Sequence, residues 1–212
     1  DRQIKHPLIY IWLDLIYVQR KDEDAWLNNL LEGLRIFPDC YELNFRLITR
    51  LYENQEYEKA IHYSKQALKR NPYLTHAYIT LSEIYYKKQQ FEEAVVYYRK
   101  AAELEPENVE LNFKFAKLLL MLRKVDEALP IYEKLSKEES FSENHEFLYW
   151  FALYHFSFGD SFRAEDLIKQ ATDLNPNGNY YFYYALILVK NNKYREAIQK
   201  MLEVRQQSPG PK

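Results

Sequence analysis

The residues able to do chemistry are present but never gathered. The five histidines, His6, His62, His76, His145 and His155, form no HExxH and no close pair at metal-ligand spacing, so no zinc centre and no metal-activated water is expected. His155 lies among aromatics in LYHFSF and reads as a polar-tipped core residue. Cys40, the single cysteine, sits in FPDCY with no basic neighbour to activate it. It reads as a structural thiol, and one cysteine excludes an internal disulfide framework while saying little about compartment. Glu92–Glu93 and Glu138–Glu139 could in principle divide acid and base work, but both pairs fall where solvated helix faces are expected. With only 4 glycines there is no phosphate-cradling loop. The expectation is therefore no catalytic residue, no metal and no cofactor: the chain is not expected to be an enzyme.

What remains is binding, and the totals narrow it. The net charge is −2 over 212 residues, and no basic stripe accompanies the 20 tyrosines, so nucleic acid is not an expected ligand. Membrane-spanning helices need roughly 18 apolar residues in a row. The closest run, Leu8 to Val18, is 11 residues long and carries Asp14. There is no secretory pattern at the start, but the chain opens on Asp1, so localisation stays unknown; cytoplasm and bacterial periplasm both fit a soluble chain.

The elements that would carry a binding surface are set out most clearly in Thr75 to Asn108, 34 residues that read as two amphipathic helices and a turn. Tyr78, Leu81, Ser82 and Tyr85 recur at helical spacing, then Ala94, Tyr98 and Ala101, and Pro106 stops the unit. The small residues let two helices approach, and the rings fill the space beside them. The same frame returns at 41–74 (Leu47, Leu51, Tyr57, Ala60, Ala67, Pro72) and 7–40 (Tyr10, Leu13, Tyr17, Leu30, Gly33, Pro38). In the earlier of these, Asp14 and Trp26 stand where small residues are expected, and Asp1 to His6 reads as a frayed leader. Going forward it returns at 109–144, 145–177 and 178–211. The 109–144 unit is two residues longer, ends in KEESFSEN instead of a proline, and has Pro130 inside its second helix, where a bend is expected.

This pattern of aromatic, Leu, small, Tyr, then Ala, aromatic and Pro resembles the tetratricopeptide repeat family. The resemblance covers nearly the whole chain and implies an all-α, right-handed superhelical solenoid of stacked antiparallel helix pairs, with six repeats in one domain over 1–212. It further implies that ligands lie against the first helices, which line the concave side. The family's dicarboxylate clamp is missing: its positions hold Ile79 and Glu83, Lys114, and Glu146 and Trp150. Chaperone tails are therefore not the expected ligand.

The expected groove is an aromatic stripe with a few charges, Phe45, Arg46, Tyr52, Tyr86, Phe113, Lys114 and Lys117, continued by Tyr149, Trp150 and Phe182. One reading makes it a shelf for an apolar side chain of a partner, with Arg46, Lys114 and Lys117 facing its acidic groups. The other has Phe45 and Phe113 simply packing between successive first helices. Phe147–Phe158 and Tyr180–Val189 are apolar nearly all round and need cover on every side. The last helix, at Tyr194, Ile198 and Met201, is expected to be covered by a partner, by a second copy or by further residues. Two functions stay open. One is a scaffold holding a peptide or helix of another protein in its groove. The other is a structural subunit joined through its apolar ends, in a bacterial envelope or motor-assembly complex on composition alone.

Overall fold

A computed structural model describes residues 6–207; Asp1 to Lys5 of the expected leader and the SPGPK ending, with Pro209, lie outside the described residues. His6 is not frayed, since its Nδ1 accepts from the Leu8 amide and caps the first helix. Among the described residues there are thirteen α-helices and no strand. They are α1 Pro7–Gln19, α2 Glu23–Ile36, α3 Tyr41–Glu53, α4 Tyr57–Arg70, α5 Thr75–Lys87, α6 Phe91–Leu104 and α7 Val109–Met121. After them come α8 Val125–Leu135, the single turn α9 Glu139–Ser142, α10 His145–Phe158, α11 Ser161–Leu174, α12 Gly178–Lys190 and α13 Tyr194–Gln207.

The backbone repeats the frame independently of the side chains. Left-handed φ angles occur at Lys21, Gln55, Gln89, Arg123, Gly159 and Asn192, each between a first and a second helix. At the five non-glycine sites the next amide reaches back to the carbonyl five residues earlier: Asp22 to Tyr17, Glu56 to Leu51, Gln90 to Tyr85, Lys124 to Leu119 and Lys193 to Leu188. That is the Schellman end of a helix. It satisfies carbonyls that the helix would otherwise leave open, which offsets the cost of about 1 kcal/mol for an L-residue in this region.

The contacts divide the chain into an N-terminal unit up to Leu111 and a C-terminal unit from Asn112. In the N-terminal unit α2 packs on α3 and α4 on α5, so each second helix covers the next first helix. Leu30, Leu43, Leu47, Leu51, Leu81 and Ile84 form its core, and Trp26 is buried with them. Gly33 is required where α1 meets α2, because a Cβ there would stand 2.8 Å from Cγ of Tyr10. In the C-terminal unit α11 packs on α12 in the same way, and the core mixes aliphatic residues with many aromatics. Tyr132 is fully buried, with its ring stacked on Phe151 at 5.6 Å. The KEESFSEN stretch supplies α9, whose Phe141 is buried against Phe113 and Phe147 at 5.4 and 4.8 Å. That hydrophobic plug replaces the terminal proline of the other units. Pro130 sits inside α8, where it cannot donate to the Asp126 carbonyl.

Candidate functional site

The first helices of the two units present different faces. In the N-terminal unit α1, α3 and α5 lie beside one another, and their polar groups answer each other. Asp14, the residue that breaks the small-residue pattern, is completely buried. Arg50 grips it with both arms, Nε to Oδ1 at 2.8 Å and Nη2 to Oδ2 at 2.9 Å. Arg46 adds Nη1 to Oδ2 at 3.0 Å and donates its Nε to Glu42 at 2.7 Å. An Asp on α1 therefore has a purpose: the fork geometry of two guanidiniums lets its charge be buried fully paired. The expectation that Arg46 would face a partner's acids is corrected, since its Nε and Nη1 are paired to Glu42 and Asp14 within the chain.

The other expected groove residues of this unit are likewise engaged. Phe45 is half-buried, 4.2 Å from the ring of His76 and 6.0 Å from Tyr41. His76 Nε2 in turn shares a hydrogen bond of 2.9 Å with Thr49 Oγ1. Burial pushes the His76 imidazole down from its ordinary value, against the nearby Glu83 and Glu105. Tyr52 has the Lys87 ammonium 4.8 Å above its ring, and Tyr86 meets Phe91 edge-on at 5.5 Å. Lys87 and Lys88 are exposed, yet each has a partner, since Lys88 pairs with Glu58 at 2.5 Å.

In the C-terminal unit the corresponding face is open and apolar. Residues of α7, the turn after it, α8, α10 and α12 enclose a groove of about 500 Å³. Its walls are Leu120 and Met121 from α7, Val125 from α8, Trp150, Leu153 and Phe156 from α10, and Tyr183 from α12. Ser157 and Arg123 are its polar members. The reason lies in α10, whose apolar residues run all the way round. Phe147, Leu148, Phe151, Ala152, Tyr154 and His155 go into the core, leaving Trp150, Leu153 and Phe156 half-exposed on the other face.

Of the expected residues here, Trp150 lines this groove. Lys117 stands beside it, 5.7 Å from the Trp150 ring, but is paired to Glu146 at 2.6 Å rather than reserved for a ligand. Tyr149 stacks on Tyr180 at 4.5 Å and meets Trp150 and Tyr183 edge-on, so it braces the wall from behind. Burial drives its hydroxyl well above the usual tyrosine range. Phe182 is exposed next to Tyr183, and Lys114 is exposed on α7. Phe113 is a correction. It is buried with only 7% exposed, inside the Phe141–Phe147 cluster, because its side of α7 turns inward. Leu120, Leu153, Phe156, Tyr183 and Arg123 escaped the sequence reading. Their signal was the two-sided apolarity of α10, which says a second face needs an occupant but not which residues form it.

The apolar ends are also exposed. On α1, Leu8, Ile9, Trp12, Leu15 and Ile16 recur on one helical face, with Trp12 at 65%. On α13, Tyr194, Ile198, Met201 and Leu202 do the same. Among the described residues no group of His, Cys, Asp or Glu could hold a metal, and no helix is long and apolar enough to cross a membrane.

Comparison with known proteins agrees with this geometry. The tetratricopeptide repeat profile matches residues 51–96 and 86–145, and the profile of anaphase-promoting complex, cyclosome, subunit 3 matches residues 128–204. The chain belongs to the tetratricopeptide repeat family. No curated protein matches it. Among solved structures it resembles YrrB, described as a TPR protein with an unusual peptide-binding site. The identity is 16%, with 85% of this chain and 92% of that one covered, and the TM-score is 0.76. It also resembles MamA from Desulfovibrio magneticus RS-1 (16% identity, 81% and 97% covered, TM-score 0.70) and MamA AMB-1 (16%, 79% and 99%, TM-score 0.68). These likenesses establish the fold, an all-α tetratricopeptide solenoid of antiparallel helix pairs.

Proposed function

We propose that this chain is a non-enzymatic protein-interaction scaffold that holds a peptide or helix of a partner protein against the first-helix face of its C-terminal unit. The observation that carries this is the groove of about 500 Å³ walled by Trp150, Leu153, Phe156 and Tyr183. Its volume falls in the range of roughly 300–1,000 Å³ typical of ligand sites. Half-exposed aromatic and aliphatic walls of this kind are where binding energy concentrates, because a bulky side chain entering them removes apolar surface of both partners from water. The peptide-binding site in the description of YrrB, on the same fold, supports the reading. Selection of peptides from a phage-displayed dodecamer library on the whole chain tests it. Binders should be enriched, and should be lost with Leu153→Asp, which puts a charge into the groove wall. Enriched binders that bind the Leu153→Asp variant equally well would remove the groove from the account.

A second reading has its own observation. The exposed stripes on α1 and α13 suit a structural subunit joined through its ends, and the family profile over 128–204 takes its description from a subunit of an assembly. Light scattering of the chain and of Trp12→Asp and Ile198→Asp variants tests self-association. A species larger than one chain that either substitution dissolves would favour this reading.

A further inference from the structure

Resting on the groove reading above, we propose that the C-terminal groove selects peptides in which a bulky apolar side chain is accompanied by a carboxylate, and that Arg123 is the residue that reads the carboxylate. The walls offer apolar and aromatic carbon almost throughout, and Arg123 is the one charged residue among those that line the groove. Among the described lining residues there is no carboxylate, so the charge that a partner meets in the lining itself is a cation.

Arg123 differs from the other arginines of the first-helix faces. Arg46 and Arg50 are each held in ion pairs, with Asp14 and, for Arg46, also with Glu42. The Arg123 guanidinium has no hydrogen-bond or ion-pair partner among the described residues, while its backbone amide donates to Leu120 at 3.0 Å. Its backbone is held by the repeat itself. It occupies the left-handed turn position, φ 57°, that Lys21, Gln55, Gln89, Gly159 and Asn192 occupy elsewhere. The turn anchors the side chain at the end of α7, next to Met121 and across from Ser157 at the end of α10. A planar guanidinium is weakly hydrated and tolerates apolar walls better than an ammonium does, and its fork matches a carboxylate with two parallel hydrogen bonds. A second cation lies close by. Lys190 rests 4.7 Å from the Phe156 ring and donates to the Phe156 carbonyl at 3.0 Å. It adds positive potential beside a groove wall without being free to form a fork itself. The ligand class is thus an acidic peptide segment with one large aliphatic or aromatic anchor, its carboxylate coming from an Asp or Glu side chain or from a chain terminus.

The test uses the whole chain and the strongest dodecamer from the library selection, synthesised in its acid form and with each carboxylate replaced in turn by the amide, the C-terminus included. Affinity is read by fluorescence anisotropy. One acid-to-amide change should weaken binding about 10-fold, as expected for one charge-assisted pair. In Arg123→Gln that same change should make no difference, and Arg123→Glu should prefer the amide. Which amide matters distinguishes a side chain from a terminus. The proposal is overturned if binding is lost in Leu153→Asp yet is indifferent to every amide and to Arg123→Gln; the groove then stands without a carboxylate reader. If no peptide binds, or binding survives Leu153→Asp, the groove reading itself fails and this proposal with it. Arg123 is exposed in a turn, and an unchanged melting temperature in both variants confirms that the fold is not what was altered.

Discussion

Where α1, α3 and α5 meet, the polar groups of the N-terminal unit close upon one another, while the groove face of the C-terminal unit stays apolar and open. On α1, α3 and α5 the central charges have partners of the same unit: Asp14 has two arginines, Arg46 also has Glu42, and Lys87 has the Tyr52 ring. On α7, α10 and α12 the polar pairs, Lys117 with Glu146 and His145 with Tyr180, flank half-exposed apolar walls. The same repeat can thus spend its variable positions on internal cohesion or on a surface for another molecule. Paired groups resist a newcomer, because a ligand would have to displace contacts already made. Unpaired apolar walls cost free energy until they are covered.

Breaking the closed face should give the largest effect. Arg50→Ala leaves Asp14 buried with two of its three guanidinium hydrogen bonds gone and should lower stability by about 3 kcal/mol. Peptide affinity should stay the same. Urea denaturation followed by circular dichroism measures it, and a loss below about 1 kcal/mol would mean that water reaches Asp14 and the face is not closed. Trp150→Ala should do the opposite. Affinity falls by about 2 kcal/mol, roughly 30-fold, and stability changes by less than about 1 kcal/mol because the ring is already half-exposed. A titration of the selected peptide into both variants sets the two faces side by side.

Smaller effects sharpen the contrast beneath the surfaces. Burial first, and then the charge of Arg163, push the imidazole of His155 below its ordinary value, with Asp160 and Glu133 opposing. His76 in the N-terminal unit moves the same way. A histidine depressed in the folded state is protonated first in the unfolded chain, so stability is full above about pH 6.5 and falls as pH drops toward the folded value. Thermal melts at about pH 7 and about pH 5.5 should show this loss. His155→Phe and His76→Phe should each remove part of it, and an unchanged pH dependence in both would contradict the assignment. Smallest is Tyr132→Phe. The Tyr132 hydroxyl is buried without a partner among the described residues, so removing it should leave stability unchanged or raise it by up to about 1 kcal/mol. A loss above that would reveal a hydrogen bond to an internal water.

The fold was legible because it is written as a period. Leu47 and Leu81 answer one geometric demand in successive repeats, as do Ala60 and Ala94, and Ala67 and Ala101, and all six are buried. The left-handed residues 21, 55, 89, 123, 159 and 192 repeat it in the backbone. The face was less legible because one exposed position can hold a ligand contact or an internal partner with the same residue type. Nothing near Arg46 in sequence announces Asp14, 32 residues away on another helix. Phe113 and Phe182 are both phenylalanines on first helices, yet one is buried and the other exposed. The short α9, which supplies the Phe141 contact, decides the first of these. Arg123 was invisible for another reason: in a turn it reads as an ordinary solvated charge, and only the neighbouring walls give it a role.

The most direct measurement is amide hydrogen exchange of the whole chain with and without a saturating selected peptide. Added protection should appear in peptides spanning Leu120–Val125, Trp150–Ser157 and Tyr183, with α3 and α5 unchanged. Protection concentrated instead on Phe45–Tyr52 and Ile79–Tyr86 would place the ligand on the closed face and contradict the groove reading.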